Sequence, residues 1–190
     1  MTTRRSNSLP MAKKVSLEAI KALREKTSAS INDVRSALES AGGDESKALE
    51  LLRQRGAQIA EKRQGRATGQ GRVEAYVHHD GRLGALVEIN CETDFVARTP
   101  EFLQFCRDVA MHVAAMGSRY LRSEDVPASE AGSAEAKQAL SLLEQPFVKD
   151  QGTTVQELLK ALIAKTGENI VIHRFVKFGV GESAETRNSD

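Results

Sequence analysis

From residue 15 to residue 56 apolar side chains recur three and four positions apart; from residue 72 they alternate with polar ones. The first pattern belongs to helices that bury one face, the second to half-buried strands. In VSLEAIKALREKTSASINDVRSALESAGGDESKALELLRQRG (15–56) the helical period breaks twice, which predicts three short helices. Leu17, Ile20 and Leu23 mark the first. Ser30, with Asp33 three residues on, reads as the N-cap of a second helix that carries Ile31, Val34 and Leu38 and stops at Gly42-Gly43. Asp44 caps a third, with Ala48, Leu51 and Leu52 inward, and Gly56 ends it.

AQIAEKRQGRATGQG (57–71) starts as a basic helix and finishes in glycine-rich chain, the composition of a linker. RVEAYVHH (72–79), Asp80-Gly81 and RLGALVEIN (82–90) then read as a β-hairpin closed by a two-residue type I′ turn. Thr99-Pro100-Glu101 is the opening of a helix with Phe102, Phe105, Val109, Val113 and Met116 on one stripe. A weaker helical segment covers 126–143, and Thr154 with Glu157 forms a capping box for a helix ending near Gly167. NIVIHRFVKF (169–178) alternates as a third strand. The expected fold class is α+β: an N-terminal three-helix domain, then a small antiparallel three-stranded sheet packed with helices. The expected organisation is a disordered extension over 1–12, a docking domain over 13–56, a linker over 57–71, a sheet-plus-helix core over 72–182 and a disordered tail over 183–190.

Charge sharpens that division. The net charge of the 190 residues is +1, but residues 1–72 hold fifteen Lys and Arg against eight Asp and Glu, and residues 73–190 hold twelve against eighteen. The halves therefore differ by +7 against −6, which points to different jobs. Two cysteines, Cys91 and Cys106, with no CxxC pairing fit a reducing cytoplasm. No stretch has the apolar length of a membrane span. MTTRRSNSLP is basic and acid-free like a targeting peptide; a plain tail ahead of Met11 is the simpler reading.

Candidate chemistry centres on CETDFVAR (91–98). Cys91 as a nucleophile needs a positioned base, and none of His78, His79, His112 and His173 has a local signature that supplies one. Adjacent His78 and His79 point to opposite faces of a strand, so no metal site is expected. Neither GxxxxGK[ST] nor GxGxxG occurs, so no nucleotide cofactor is expected either. Aromatic residues are 4% of the chain and Trp is absent, which argues against direct nucleic-acid binding; a basic helical adaptor for RNA or protein, built on residues 13–72, is the alternative reading. For Asp94-Phe95 two readings stay open: a helix cap with a core phenylalanine, or a wedge that enters another protein.

LVEINCETDFVART resembles the signature of bacterial elongation factor Ts, the guanine-nucleotide exchange factor of elongation factor Tu. IKALREKT, GGDESKALELLR, MHVAAMGSRYL, QPFVKD, TVQELL and GENIVIHRFVKF resemble that family in the same order, over roughly residues 13–182. The resemblance implies a ubiquitin-associated-like N-terminal domain and a sheet-plus-helix core. It also favours the wedge, with Phe95 entering a pocket beside the partner's magnesium site and Asp94 contacting it alongside. His112 would make a second contact, with Leu83 and Gly84 nearby. Where the family often carries paired methionines in its N-terminal docking loop, this chain has Ile31 and Asn32. It looks like the short form of the family, which implies a homodimer engaging two molecules of elongation factor Tu.

Overall fold

A computed structural model describes residues 15–27 and 29–182. The extension expected over 1–12 and the tail expected over 183–190 lie outside the described residues. The chain divides into two compact units, one ending at Arg55 and the other beginning at Gly56.

In the first unit, α1 (Leu17–Thr27), α2 (Ile31–Ser40) and the opening turns of α3 (Glu45–Arg63) surround a core of Ile20, Leu23, Val34, Ala37, Leu38, Ala48 and Leu52. The helix starts follow from short-range chemistry: the Ser30 hydroxyl accepts the Asp33 N–H at 3.1 Å, and Asp44 Oδ1 accepts the Lys47 N–H at 3.0 Å. That backbone bond also holds the Asp44 carboxyl below its ordinary pKa. Leu17, expected on the buried stripe, is exposed, so Ile20 and Leu23 anchor α1.

The third helix does not end at Gly56. It continues to Arg63, and the segment expected as linker is helical over its first half. A mid-helix glycine costs only about 1 kcal/mol relative to alanine. Here Ala60, one turn further on, packs against the core of the second unit, and that burial offsets the cost.

The second unit is a three-stranded antiparallel sheet in the order β1 (Gln70–Val77), β2 (Leu83–Cys91), β5 (Ile170–Gly179). Pairing runs from Gln70↔Cys91 to Val77↔Gly84 on one side of β2, and from Cys91↔Ile170 to Leu83↔Gly179 on the other. Alternation sends Ala85, Val87, Ile89 and Cys91 to one face with Ile170 and Ile172. There they meet Phe102, Phe105, Val109 and Val113 of α5 (Pro100–Ala115), as the stripe predicted. α7 (Val155–Thr166) carries its capping box, with Glu157 N–H to Thr154 Oγ1 at 3.2 Å and Thr154 N–H to Glu157 Oε2 at 2.8 Å. The opposite face of the sheet leaves Val73, Val77, Leu86, Val176 and Phe178 exposed.

Three expectations change. The first hairpin is not closed by a two-residue turn: Gly81, at φ 69°, donates its N–H to His78 O, and His78 N–H reaches Leu83 O, both at 2.8 Å. Asp80 Oδ1 takes the Arg82 N–H at 3.0 Å, stabilising this longer loop. The helical segment expected over 126–143 shrinks to α6 (Ala134–Leu140). Also not foreseen were the small hairpin β3 (Pro146–Phe147) with β4 (Asp150–Thr154), the single-turn helix α4 (Asp94–Ala97) and a 3-10 turn over Ser123–Asp125.

Candidate partner-binding site

Strand β2 ends at Cys91, and α4 begins three residues later. Thr93 is its N-cap: the hydroxyl accepts the Val96 N–H at 3.3 Å. Val96 points inward and is buried, while Thr99 Oγ1 donates to Val96 O at 2.8 Å and itself accepts the Phe102 N–H to start α5. With Val96 fixed inward, its neighbour Phe95 faces out and is 78% exposed. The core reading of Phe95 is thereby excluded. Asp94 is no helix cap for α5; it pairs with Arg98 at 3.1 Å on the surface.

The turn is braced from behind by the chain that follows α7. Glu168 accepts the Thr93 N–H at 3.1 Å and the Thr93 hydroxyl proton at 2.6 Å. Glu92 Oε1 accepts the Asn169 N–H at 2.6 Å, and Asn169 Nδ2 donates to Arg66 O at 2.8 Å. Sequence reading found none of Thr93, Glu92, Glu168 or Asn169. A threonine directly ahead of Asp94 was a legible cap signal; contacts seventy-five residues long left no local trace.

Leu83 and Gly84 stand at the other end of β2, about 26 Å away at a strand rise of roughly 3.3 Å per residue. They help line a hollow of about 340 Å³ with Val77, Leu86, Phe178 and Val180. The C-terminal end of α5 lies near this end of the sheet, because Lys177, paired with Ala85, donates to Met116 O at 3.3 Å. His112, in the last turn of α5, is nevertheless not on the surface: its exposure is 0%. Its Nε2 donates to Gln145 Oε1 at 2.8 Å, its Nδ1 accepts the Val148 N–H at 3.2 Å, and its ring stacks on Phe147. Burial lowers its pKa, and the bond from Val148 requires the neutral ring. In the chain alone His112 is thus an interior residue whose polar groups are satisfied within the fold.

In the first unit, Ile31 and Asn32 occupy the first turn of α2 and are exposed. Cys91 and Cys106 are buried thiols. Burial pushes them up to about 11 and about 12, and Cys91 Sγ donates to Thr93 O at 3.1 Å, so neither is poised as a thiolate nucleophile. Among the described residues no group of three His, Cys, Asp or Glu could hold a metal, and no helix is long and apolar enough to cross a membrane.

The site thus sets an exposed aromatic ring on a braced single turn within an α+β framework. A family model described as elongation factor Ts matches residues 11–136. Elongation factor Ts of Rubrobacter xylanophilus is 48% identical over 189 positions, covering 85% of this chain and 97% of that protein. The protein of the same name from Carboxydothermus hydrogenoformans is 45% identical over 204 positions, covering 93% and 94%, and that from Thermotoga petrophila 44% over 196, covering 90% and 98%. The chain belongs to the elongation factor Ts family.

Proposed function

We infer that the protein is a translation elongation factor that acts as a guanine-nucleotide exchange factor for elongation factor Tu, with Phe95 as the side chain that disturbs the partner's nucleotide site. The observation that carries this reading is the exposure of Phe95 on a turn whose every other anchor is bonded or buried. An exchange factor must bind the nucleotide-free partner more tightly than the GDP-bound one, and by linkage it weakens GDP binding by the same factor. No covalent bond is made or broken. A ten-thousandfold weakening requires about 5.5 kcal/mol of differential contact. Burying one phenylalanine contributes roughly 1.5–3 kcal/mol, so Phe95 cannot act alone.

In this reading Phe95 shifts the elements that hold the partner's magnesium ion. The phosphates of GDP lose neutralising charge and the nucleotide leaves faster. Asp94 contributes by exchanging its exposed pairing with Arg98 for a partner contact. The end of the sheet at Leu83 and Gly84 supplies a second contact, and Ile31 and Asn32 supply affinity from the first unit. The work belongs in the cytoplasm, where translation elongation takes place.

A second copy of the chain covers the outer face of the sheet, where Val73, Val77, Leu86, Val176 and Phe178 form an apolar patch that favours association. Phe178→Glu is expected to convert the dimer to a monomer in sedimentation; a monomeric wild type rejects this part. The exchange function is tested by release of a fluorescent GDP analogue from elongation factor Tu at increasing concentrations of the protein. Acceleration by the wild type supports it, and no acceleration by the folded protein refutes it.

A further inference from the structure

The single turn that carries Phe95 does not hold itself. Four residues of helix are far below the length at which a helix is stable alone, and the Phe95 ring has little packing around it. The Asp94–Arg98 pair is solvent-exposed and contributes little. What orients α4 is its cap, Thr93, together with the inward Val96.

Thr93 has two donors to place. Its backbone N–H lies at the unsatisfied start of the helix, and its hydroxyl can cap the helix only if its proton is directed elsewhere. Glu168 takes both, one on each carboxylate oxygen, at 3.1 and 2.6 Å. An ionised carboxylate is the side chain suited to this, since both of its oxygens accept and neither donates. The contact is reciprocal. While Glu168 holds the backbone of residue 93, Glu92 holds the backbone of residue 169 at 2.6 Å. Gly167, at φ 72°, ends α7 in the left-handed conformation and delivers Glu168 to this position.

We propose that Glu168 is the positioning residue of the Phe95 turn, fixing α4 in the orientation from which Phe95 enters the partner. The proposal rests on the reading of Phe95 given above. In this proposal the action of Glu168 runs through Thr93, whose N–H and hydroxyl it holds.

The test uses Glu168→Gln, which keeps the size of the side chain but turns one acceptor into a donor. Amide hydrogen exchange at Thr93 and Val96 is compared with that of the β2 amides, and GDP release from elongation factor Tu is measured at saturating protein, with and without Phe95→Ala. Expected are faster amide exchange confined to the turn, a maximal release rate lowered about tenfold, and a double variant no slower than Phe95→Ala alone. A merely structural residue would instead multiply its loss with that of Phe95→Ala. Multiplied losses, unchanged protection at Thr93 and Val96, or a wild-type release rate in Glu168→Gln each overturn the proposal. Should the turn loosen while the wild-type protein itself fails to release GDP, it is the exchange reading that falls and the structural role of Glu168 that stands.

Discussion

Phe95 and His112 are two of the residues for which the family resemblance implies partner contacts from the sheet-plus-helix core, and the structure treats them in opposite ways. Around Phe95 the backbone is pinned at Thr93, Val96 and Thr99 while the ring is left in water. Around His112 both ring nitrogens are bonded and the ring is stacked on Phe147. The apolar area of Phe95 is therefore still free to be buried against another molecule. That of His112 already stabilises the fold. A motif shared with a family transfers a position along the chain; whether the side chain there faces a partner or the interior depends on packing.

The contrast can be broken from either side. His112→Ala is expected to lower the unfolding free energy in urea by about 3 kcal/mol, from the cavity, the Val148 N–H left without its acceptor and the bond lost at Gln145 Oε1. Exchange activity per folded molecule should stay near that of the wild type; lost activity at full stability would mean that the histidine does reach the partner. Phe95→Ala is the converse, a loss of about thirtyfold in GDP release, equivalent to roughly 2 kcal/mol, with an unchanged thermal midpoint. A lowered midpoint would show that the ring packs in the core after all.

Smaller effects sharpen the picture. Burial depresses the folded pKa of His112 below its ordinary value near 6.5. The unfolded state then binds more protons below that value, so the stability contributed by the neutral ring is complete above pH 6.5 and is lost as the pH falls below it. Chemical denaturation between pH 7.5 and 5.5 should show this decline, and His112→Gln should flatten it; an identical slope in the variant would place the titrating group elsewhere. Asp94→Asn should move the midpoint least of all, because its pairing with Arg98 is exposed. A clear drop in the melting curve would contradict the surface assignment.

What the sequence disclosed is what short-range physics encodes. Ser30, Thr99 and Thr154 announced their helices because a cap needs only three residues of context. Strands β2 and β5 were legible from alternation, which follows directly from one buried face. Gly56 misled because tertiary packing of Ala60 outweighs a local propensity. The hairpin of β3 and β4 has too few residues for any period to show. In the site, the motif around Phe95 could be found but its outward direction could not, because that direction is set by Val96 and by a carboxylate seventy-five residues away.

That separation also has a meaning in time. The turn is written at residues 91 to 98, yet the groups that brace it, Glu168 and Asn169, together with the strand that pairs with Cys91, are made only some seventy-five residues later. At translation speeds of about 5–20 residues per second, roughly 4–15 seconds pass between the two. Throughout that interval the nascent chain carries Phe95 without the geometry that aims it. In the proposed reading Phe95 is aimed only once residues 168 and 169 have been made, so a chain that stops before residue 168 would carry the ring without its brace.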